Sequence, residues 1–221
     1  VRYPFGHGLS YTTFEYSDIK LSDTTVGDDD ILTVNAVITN TGNCVGKEIV
    51  QLYVADKSGF AVRPEKELKD FIKIELQPGE SKTVTFRLDK RAFSYYNEEL
   101  GDWYAPNGKY DIMIASSSRD IRLTAEVTHK TAVKLPFVAT ENTVFGEFMD
   151  YAEGKATIDL LFSKVAKGLL GGDHFEPEAV RSMIGSMPLR QIRSFGGISD
   201  ELLQQAVDML NKDFGGFKAQ M

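Results

Sequence analysis

The feature that most constrains this chain is a period-two alternation of apolar and polar residues, which recurs in short runs through its first 130 or so positions. Side chains point to opposite faces of a β-strand in turn, so such a run buries one face and leaves the other wet. Phe14 and Tyr16, then a slightly offset Ile19 and Leu21, mark a first strand. Leu32, Val34, Ala36 and Ile38 alternate with Thr33, Asn35, Val37 and Thr39. Val50, Leu52 and Val54 alternate with Ile49, Gln51 and Tyr53, apolar enough on both faces for a central strand. Further runs follow at Phe71 to Leu76, Val84 to Leu88, Tyr110 to Ile114 and Ile121 to Val127.

Turn chemistry separates the runs. Asn40-Thr41-Gly42-Asn43, Pro78-Gly79 and Asn107-Gly108 supply the fixed or positive φ that tight reversals need. Seven short strands punctuated in this way predict a mainly β fold, an immunoglobulin- or fibronectin type III-like antiparallel β-sandwich. Tyr110, just after Asn-Gly at the start of the sixth run, stands where such sandwiches place a corner tyrosine.

Beyond about residue 130 the period changes. Ile158, Leu161, Phe162, Val165 and Leu169 recur at helical spacing and Gly171-Gly172 stops them. Pro177 opens a second short helix carrying Val180 and Met183, and Pro188 a third. The last helix is the clearest: Ser199 caps it, Ile198 staples onto Leu203, and Leu202, Leu203, Ala206, Val207 and Leu210 form one stripe. The expectation is a small α-helical C-terminal subdomain docked on the sandwich or on the rest of a longer protein, with a partner-recruiting tail as the alternative. The division predicted is 1–13 linker, 14–130 sandwich and 131–221 helical extension.

A net charge of −7 argues against nucleic acid or an anionic membrane as the main partner. The single cysteine, Cys44, excludes an intrachain disulfide and fits a reducing compartment. No apolar run approaches the roughly 18–20 residues of a membrane span. The chain opens Val1-Arg2-Tyr3-Pro4, which reads as a piece of a longer polypeptide.

Candidate chemistry is sparse. His7, His129 and His174 lie in separate segments without metal-ligand spacing, and Asp28-Asp29-Asp30 lacks calcium-loop spacing and reads as a solvated turn. Ser116, Ser117 and Ser118 lack a nucleophile-elbow context. Glu98 and Glu99 are adjacent and so point apart. The expectation is no catalytic, cofactor or metal residue.

The opening Pro4-Phe5-Gly6-His7-Gly8-Leu9-Ser10-Tyr11-Thr12-Thr13-Phe14 resembles a segment of glycoside hydrolase family 3, the β-glucosidases and β-xylosidases. There it leads from the α/β sandwich domain into a C-terminal fibronectin type III-like domain. Asn40-Thr41-Gly42, Gly46 to Val54, Arg63 to Phe71, Leu76 to Ser81, Trp103, Gly108-Lys109-Tyr110 and Ala115 to Ser118 resemble the rest of that domain in order. One departure is Asp70, where the family has Gly before Phe71 and a tight turn is implied. The tail, with Met187 to Arg190 and Gly196-Gly197, is similar to the C-terminus of some bacterial members.

The resemblance implies a parent that hydrolyses terminal β-D-glucosides or β-xylosides with retention, through two carboxylates about 5–5.5 Å apart. It places both carboxylates upstream of this chain, the nucleophile in a Ser-Asp-Trp motif that Gly101-Asp102-Trp103 only echoes. Pro4, Phe5, Leu9 and Tyr11 are then expected to pack on the upstream catalytic domains, with carbohydrate reached only through the parent. A homodimer is left open. An independent carbohydrate-binding or protein-interaction module is the alternative; Trp103 and Tyr104, beside Tyr95 and Tyr96, are the residues expected to touch sugar or an interface. Loops Lys57 to Pro64 and Tyr95 to Tyr104 are those expected to reach the parent's active-site rim or a second subunit.

Overall fold

The computed structural model describes residues 2–149, 151–161, 184–195 and 199–218. The chain divides into two compact units, Val1–Ala132 and Val133–Met221.

The first unit is the β-sandwich. Strands β1 (Phe14–Leu21), β3 (Leu32–Asn40) and β6 (Ser81–Leu88) form one sheet in the order β1-β3-β6. The second sheet runs β2-β10-β9-β4-β5, from β2 (Thr25–Val26), β10 (Asp120–His129), β9 (Gly108–Ser117), β4 (Gly46–Asp56) and β5 (Glu67–Leu76). All pairings within the two sheets are antiparallel except the two-residue contact of β2 with β10. The alternation read from the sequence is the reason: Leu32, Val34, Ala36 and Ile38 are wholly buried, while the residues between them face partly outward. They meet Val50, Leu52, Ile112 and Ile114 of the other sheet, also buried. Strand β4, apolar on both faces, lies between β5 and β9 as a central strand should.

The offset within the first strand has a cause. The β1–β3 register shifts between Ser17 and Lys20, and Asp18 takes φ 55°, a bulge that carries Ile19 and Leu21 out of phase with Tyr16. Asp70 is a second case. No tight turn lies there: the residue sits inside β5, where Leu52 pairs with Asp70 and Tyr53 with Leu68, leaving Lys69 as the extra residue of a bulge. Strand β5 also begins at Glu67, four residues before Phe71, because main-chain pairing to Tyr53 and Val54 carries the charged Glu67-Leu68-Lys69-Asp70 into the sheet.

At Pro78-Gly79 the chain reverses with Gly79 at φ 75°, a left-handed conformation that favours glycine. Tyr110 is fully buried and donates its hydroxyl to the Pro106 carbonyl at 2.9 Å, closing the corner. Between β6 and β9 lie a short helix α1 (Lys90–Phe93) and a three-residue hairpin, β7 (Tyr95–Asn97) with β8 (Asp102–Tyr104).

The second unit has its own core, with Phe137, Phe148, Leu161, Leu189, Ile192, Leu203, Ala206, Leu210 and Phe214 buried together. The C-terminal helix, Asp200–Phe214, is capped at one end by Ser199, whose Oγ accepts from Leu202 N at 3.3 Å. Gly215, at φ 58°, ends it. Its inward stripe is the expected one with Leu202 only partly covered, and it extends to Phe214. Pro188 is followed by a 3-10 helix over Leu189–Phe195, and residues 155–161 are helical. Phe162, Val165, Leu169, Gly171-Gly172, Pro177, Val180, Met183 and Ile198 lie outside the described residues. A short pairing of Leu135–Pro136 with Phe217–Lys218 joins the unit's two ends. No helix among the described residues is long and apolar enough to cross a membrane.

Candidate functional site

The entry segment ahead of β1 is held by its backbone and shows its side chains to solvent. Ser118 N donates to Phe5 O at 2.9 Å, and Gln51 Nε2 donates both to Gly6 O at 3.0 Å and to Ser116 O at 2.7 Å. The Tyr53 hydroxyl donates to Gln51 Oε1 at 2.6 Å, which fixes the amide's orientation inside a buried site. Gly6 has φ 74°, and a Cβ there would run into the Gln51 amide, so this crossing of the sheet requires glycine. Further along, Thr12 Oγ1 donates to Asn40 Oδ1 at 2.7 Å and Cys44 Sγ to Tyr11 O at 3.3 Å. Yet Phe5 is 68% exposed, Leu9 92% and Tyr11 102%, and Pro4 is half-buried. On the same face of β4 and β5, Ile49 and Phe71 are exposed as well, Phe71 being the cross-strand partner of Gln51.

Under this strap is an open groove of about 470 Å³ whose polar lining includes Glu48, Asp120 and Arg122. Burial pushes the Glu48 carboxyl and the Tyr16 phenol above their ordinary values, the Glu48 charge adding to the shift of Tyr16. Asp120 goes the other way: a hydrogen bond from Ser116 at 2.6 Å and the Arg122 guanidinium at 2.7 Å hold its carboxyl below the usual range.

A second constellation organises the loop between β4 and β5. The Arg63 side chain, 8% exposed, bonds Asp56 Oδ2 at 3.2 Å, Glu67 Oε1 at 2.9 Å, and the carbonyls of Phe93 and Ser94 at 2.7 and 3.2 Å. Burial alone would raise the Glu67 carboxyl, but hydrogen bonds from Lys69 and Arg63 outweigh it and hold Glu67 low. At the tip of the loop Val62 is fully exposed.

The hairpin separates the two aromatic residues expected to touch sugar or an interface. Tyr104 is completely buried, against Phe60 at 5.9 Å and Tyr95 at 6.2 Å between ring centres, so it has no face to offer a ligand. Trp103 is half-buried, with Tyr96 edge-on at 5.8 Å and the Arg91 guanidinium 3.1 Å from its ring centre. Asp102 is exposed on the hairpin opposite Asn97, and its Oδ1 accepts from Trp103 N at 2.7 Å. Glu98 and Glu99 are exposed in the turn.

The aspartate turn is less solvated than expected. Asp28 accepts from Thr131 Oγ1 at 2.6 Å, and its other oxygen lies 3.3 Å from Lys90 Nζ and 3.7 Å from Nε2 of the fully buried His129. The turn folds inward because these partners converge on it from α1 and from the end of β10. His129 Nδ1 lies 3.3 Å from Pro106 O, and Phe93 stacks on its ring at 5.6 Å. His7 is exposed in the strap, and His174 lies outside the described residues. Among the described residues no cluster of His, Cys, Asp or Glu is arranged to hold a metal ion.

Comparison with known proteins fits this geometry. Residues 48–118 match the fibronectin type III-like domain. The chain is 42% identical over 211 residues to thermostable β-glucosidase B of Acetivibrio thermocellus, which covers 95% of this chain but 28% of that protein. It is 45% identical over 122 residues to a β-glucosidase of Bacteroides ovatus, covering 55% of this chain and 16% of that one. Among solved structures, a GH3 β-glucosidase of Bifidobacterium adolescentis superposes with TM-score 0.60 at 38% identity, over 72% of this chain and 23% of that one. The chain thus spans less than a third of the length of these relatives. It carries a fibronectin type III-like domain and matches the C-terminal region of glycoside hydrolase family 3 β-glucosidases.

Proposed function

We propose that this chain is a non-catalytic accessory region of a larger β-glucosidase-type enzyme, one that hydrolyses terminal β-D-glucosides or β-xylosides with retention. In this reading residues 1–13 connect to upstream catalytic domains, 14–130 form the sandwich, and 131–221 are a helical extension. The carrying observation is the strap: Phe5, Leu9 and Tyr11 are displayed to water on a segment whose backbone Gln51 and Ser118 hold and whose Thr12 hydroxyl Asn40 accepts. Large apolar side chains fixed in the open gain free energy only when another surface covers them. Pro4, Phe5, Leu9 and Tyr11 are therefore the packing residues, and the chain stabilises the catalytic domains by covering a matching patch.

The test is reconstitution. The upstream region of the parent, produced without this chain, is mixed with it and followed by calorimetry and by hydrolysis of an aryl β-glucoside. Saturable association that raises the thermal stability of the upstream region is expected, and the double variant Leu9→Ser/Tyr11→Ser weakens it. Hydrolysis by the isolated chain at an enzyme-like rate would refute the non-catalytic reading, and absence of association would refute the docking.

A further inference from the structure

The two sheets end side by side in β5 and β6, and the gap between these edge strands is closed at one end by α1 and the β7–β8 hairpin. The result is an open groove of about 600 Å³ that shares no lining residue with the groove under the strap. Its aromatic part is Tyr95, Tyr96 and Trp103, with Tyr96 53% exposed. Its rims carry Lys69 and Asp70 from β5, Arg87 from β6 and Arg91 from α1. Among the described residues neither Arg87 nor Arg91 forms an ion pair, and Asp70 accepts only from the neighbouring Phe71 N at 2.7 Å. Hydrogen-bonding capacity thus stands unused around an aromatic wall.

That combination selects among ligands. An apolar helix or strand would need apolar rims, and here they are charged. A polyanion would be drawn to the arginines but would meet Asp70 beside them. A β-linked pyranose with equatorial hydroxyls satisfies both parts: its C–H faces lie on an aromatic ring, and its edge hydroxyls donate to carboxylates and accept from guanidinium groups. The Arg91 guanidinium covers the indole face, but Arg91 is exposed, and a solvent-exposed cation–π contact is weak enough to yield.

We propose that this groove binds a short stretch of β-linked gluco- or xylo-oligosaccharide, one pyranose resting on the Trp103 indole while Arg91 turns to the hydroxyls at the ring edge. The module then holds sugar by a site of its own, separate from the surface that docks on its neighbours.

Trp103 is the chain's one tryptophan, so its emission reports on this groove alone. Titration of the intact chain with cellotetraose is expected to change that emission saturably, with a dissociation constant in the millimolar range or tighter. Tyr96→Ala keeps the indole and removes only an exposed side chain; it is expected to weaken binding about tenfold. Trp103→Ala, followed by calorimetry, is expected to abolish it. The double variant Leu9→Ser/Tyr11→Ser is expected to titrate like the unmodified chain, which separates this site from the docking surface. No saturable change with cellotetraose, an unaltered affinity in Tyr96→Ala, or a response to trigalacturonate without one to cellotetraose each overturns the proposal.

Discussion

Replacing Arg63 with alanine removes one side chain and leaves four acceptors behind. Its guanidinium bonds Asp56 Oδ2 and Glu67 Oε1 and the carbonyls of Phe93 and Ser94, so it joins the β4–β5 loop to the end of α1. The side chains of Arg63 and Asp56 are 8% and 5% exposed, so little water reaches the pair. Deleting one partner of a buried ion pair strands the other charge in a poor solvent, at a cost of about 3–5 kcal/mol. Asp56 keeps the Ser58 N–H bond at 2.7 Å and Glu67 keeps Lys69 at 2.7 Å, which favours the lower half of that range. For a unit of this size the loss corresponds to a fall in unfolding midpoint of roughly 10–20 °C. Urea denaturation followed by circular dichroism measures it. Arg63→Lys restores charge without the planar fork and is expected to recover less than half of the loss. The exposed pair Lys47–Glu75, with side chains 60% and 53% exposed, is the control: Lys47→Ala should cost no more than about 1 kcal/mol. A cost for Arg63→Ala as small as that of Lys47→Ala, at unchanged m-value, would refute the reasoning.

Burial lowers the pKa of His129 in the folded chain, with Asp28 and the Pro106 carbonyl opposing the shift, so the unfolded chain takes up this proton first. The resulting stability is complete above about pH 6.5 and is lost as the pH falls below it, and His129→Gln is expected to flatten the difference between unfolding curves at pH 7 and pH 5. Tyr110→Phe deletes the hydroxyl that the Pro106 carbonyl accepts; denaturant titration should show a loss of about 1–2 kcal/mol, and no loss would mean that the corner bond contributes nothing.

The succession of strands along the chain and the residues of the core were legible because they rest on one-dimensional periodicity, whereas the order of strands within each sheet was not. Every residue of the Leu32 to Ile38 alternation falls on the face its position implies, and Ser199 caps its helix as its place ahead of an apolar stripe suggests. What escaped depends on partners far away in the chain. Glu67 to Asp70 is a strand only because β4 offers it main-chain bonds, and no pattern in four largely charged residues announces that. Asp28 belongs to a run of three aspartates that looks hydrated, yet its partners Lys90, His129 and Thr131 come from 62 to 103 positions away. Arg63, in a polar loop, carries no mark of its burial. Trp103 and Tyr104 are consecutive in a strand, so one faces out and the other in; the pleat that separates them is a local rule, but it applies only once the hairpin is known to exist.

Gln51 is a mechanical fastener. Its carboxamide spends both N–H groups on carbonyls from two different segments, Gly6 and Ser116, while the Tyr53 hydroxyl prevents it from turning over. The entry segment is thereby bolted to the middle of the five-stranded sheet, and it leaves the sandwich in a direction set by that sheet. A polypeptide leading into such a bracket is coupled to the sandwich in angle as well as in distance. Bending or twisting forces pass through Gln51 into the strands, where a flexible tether would absorb them.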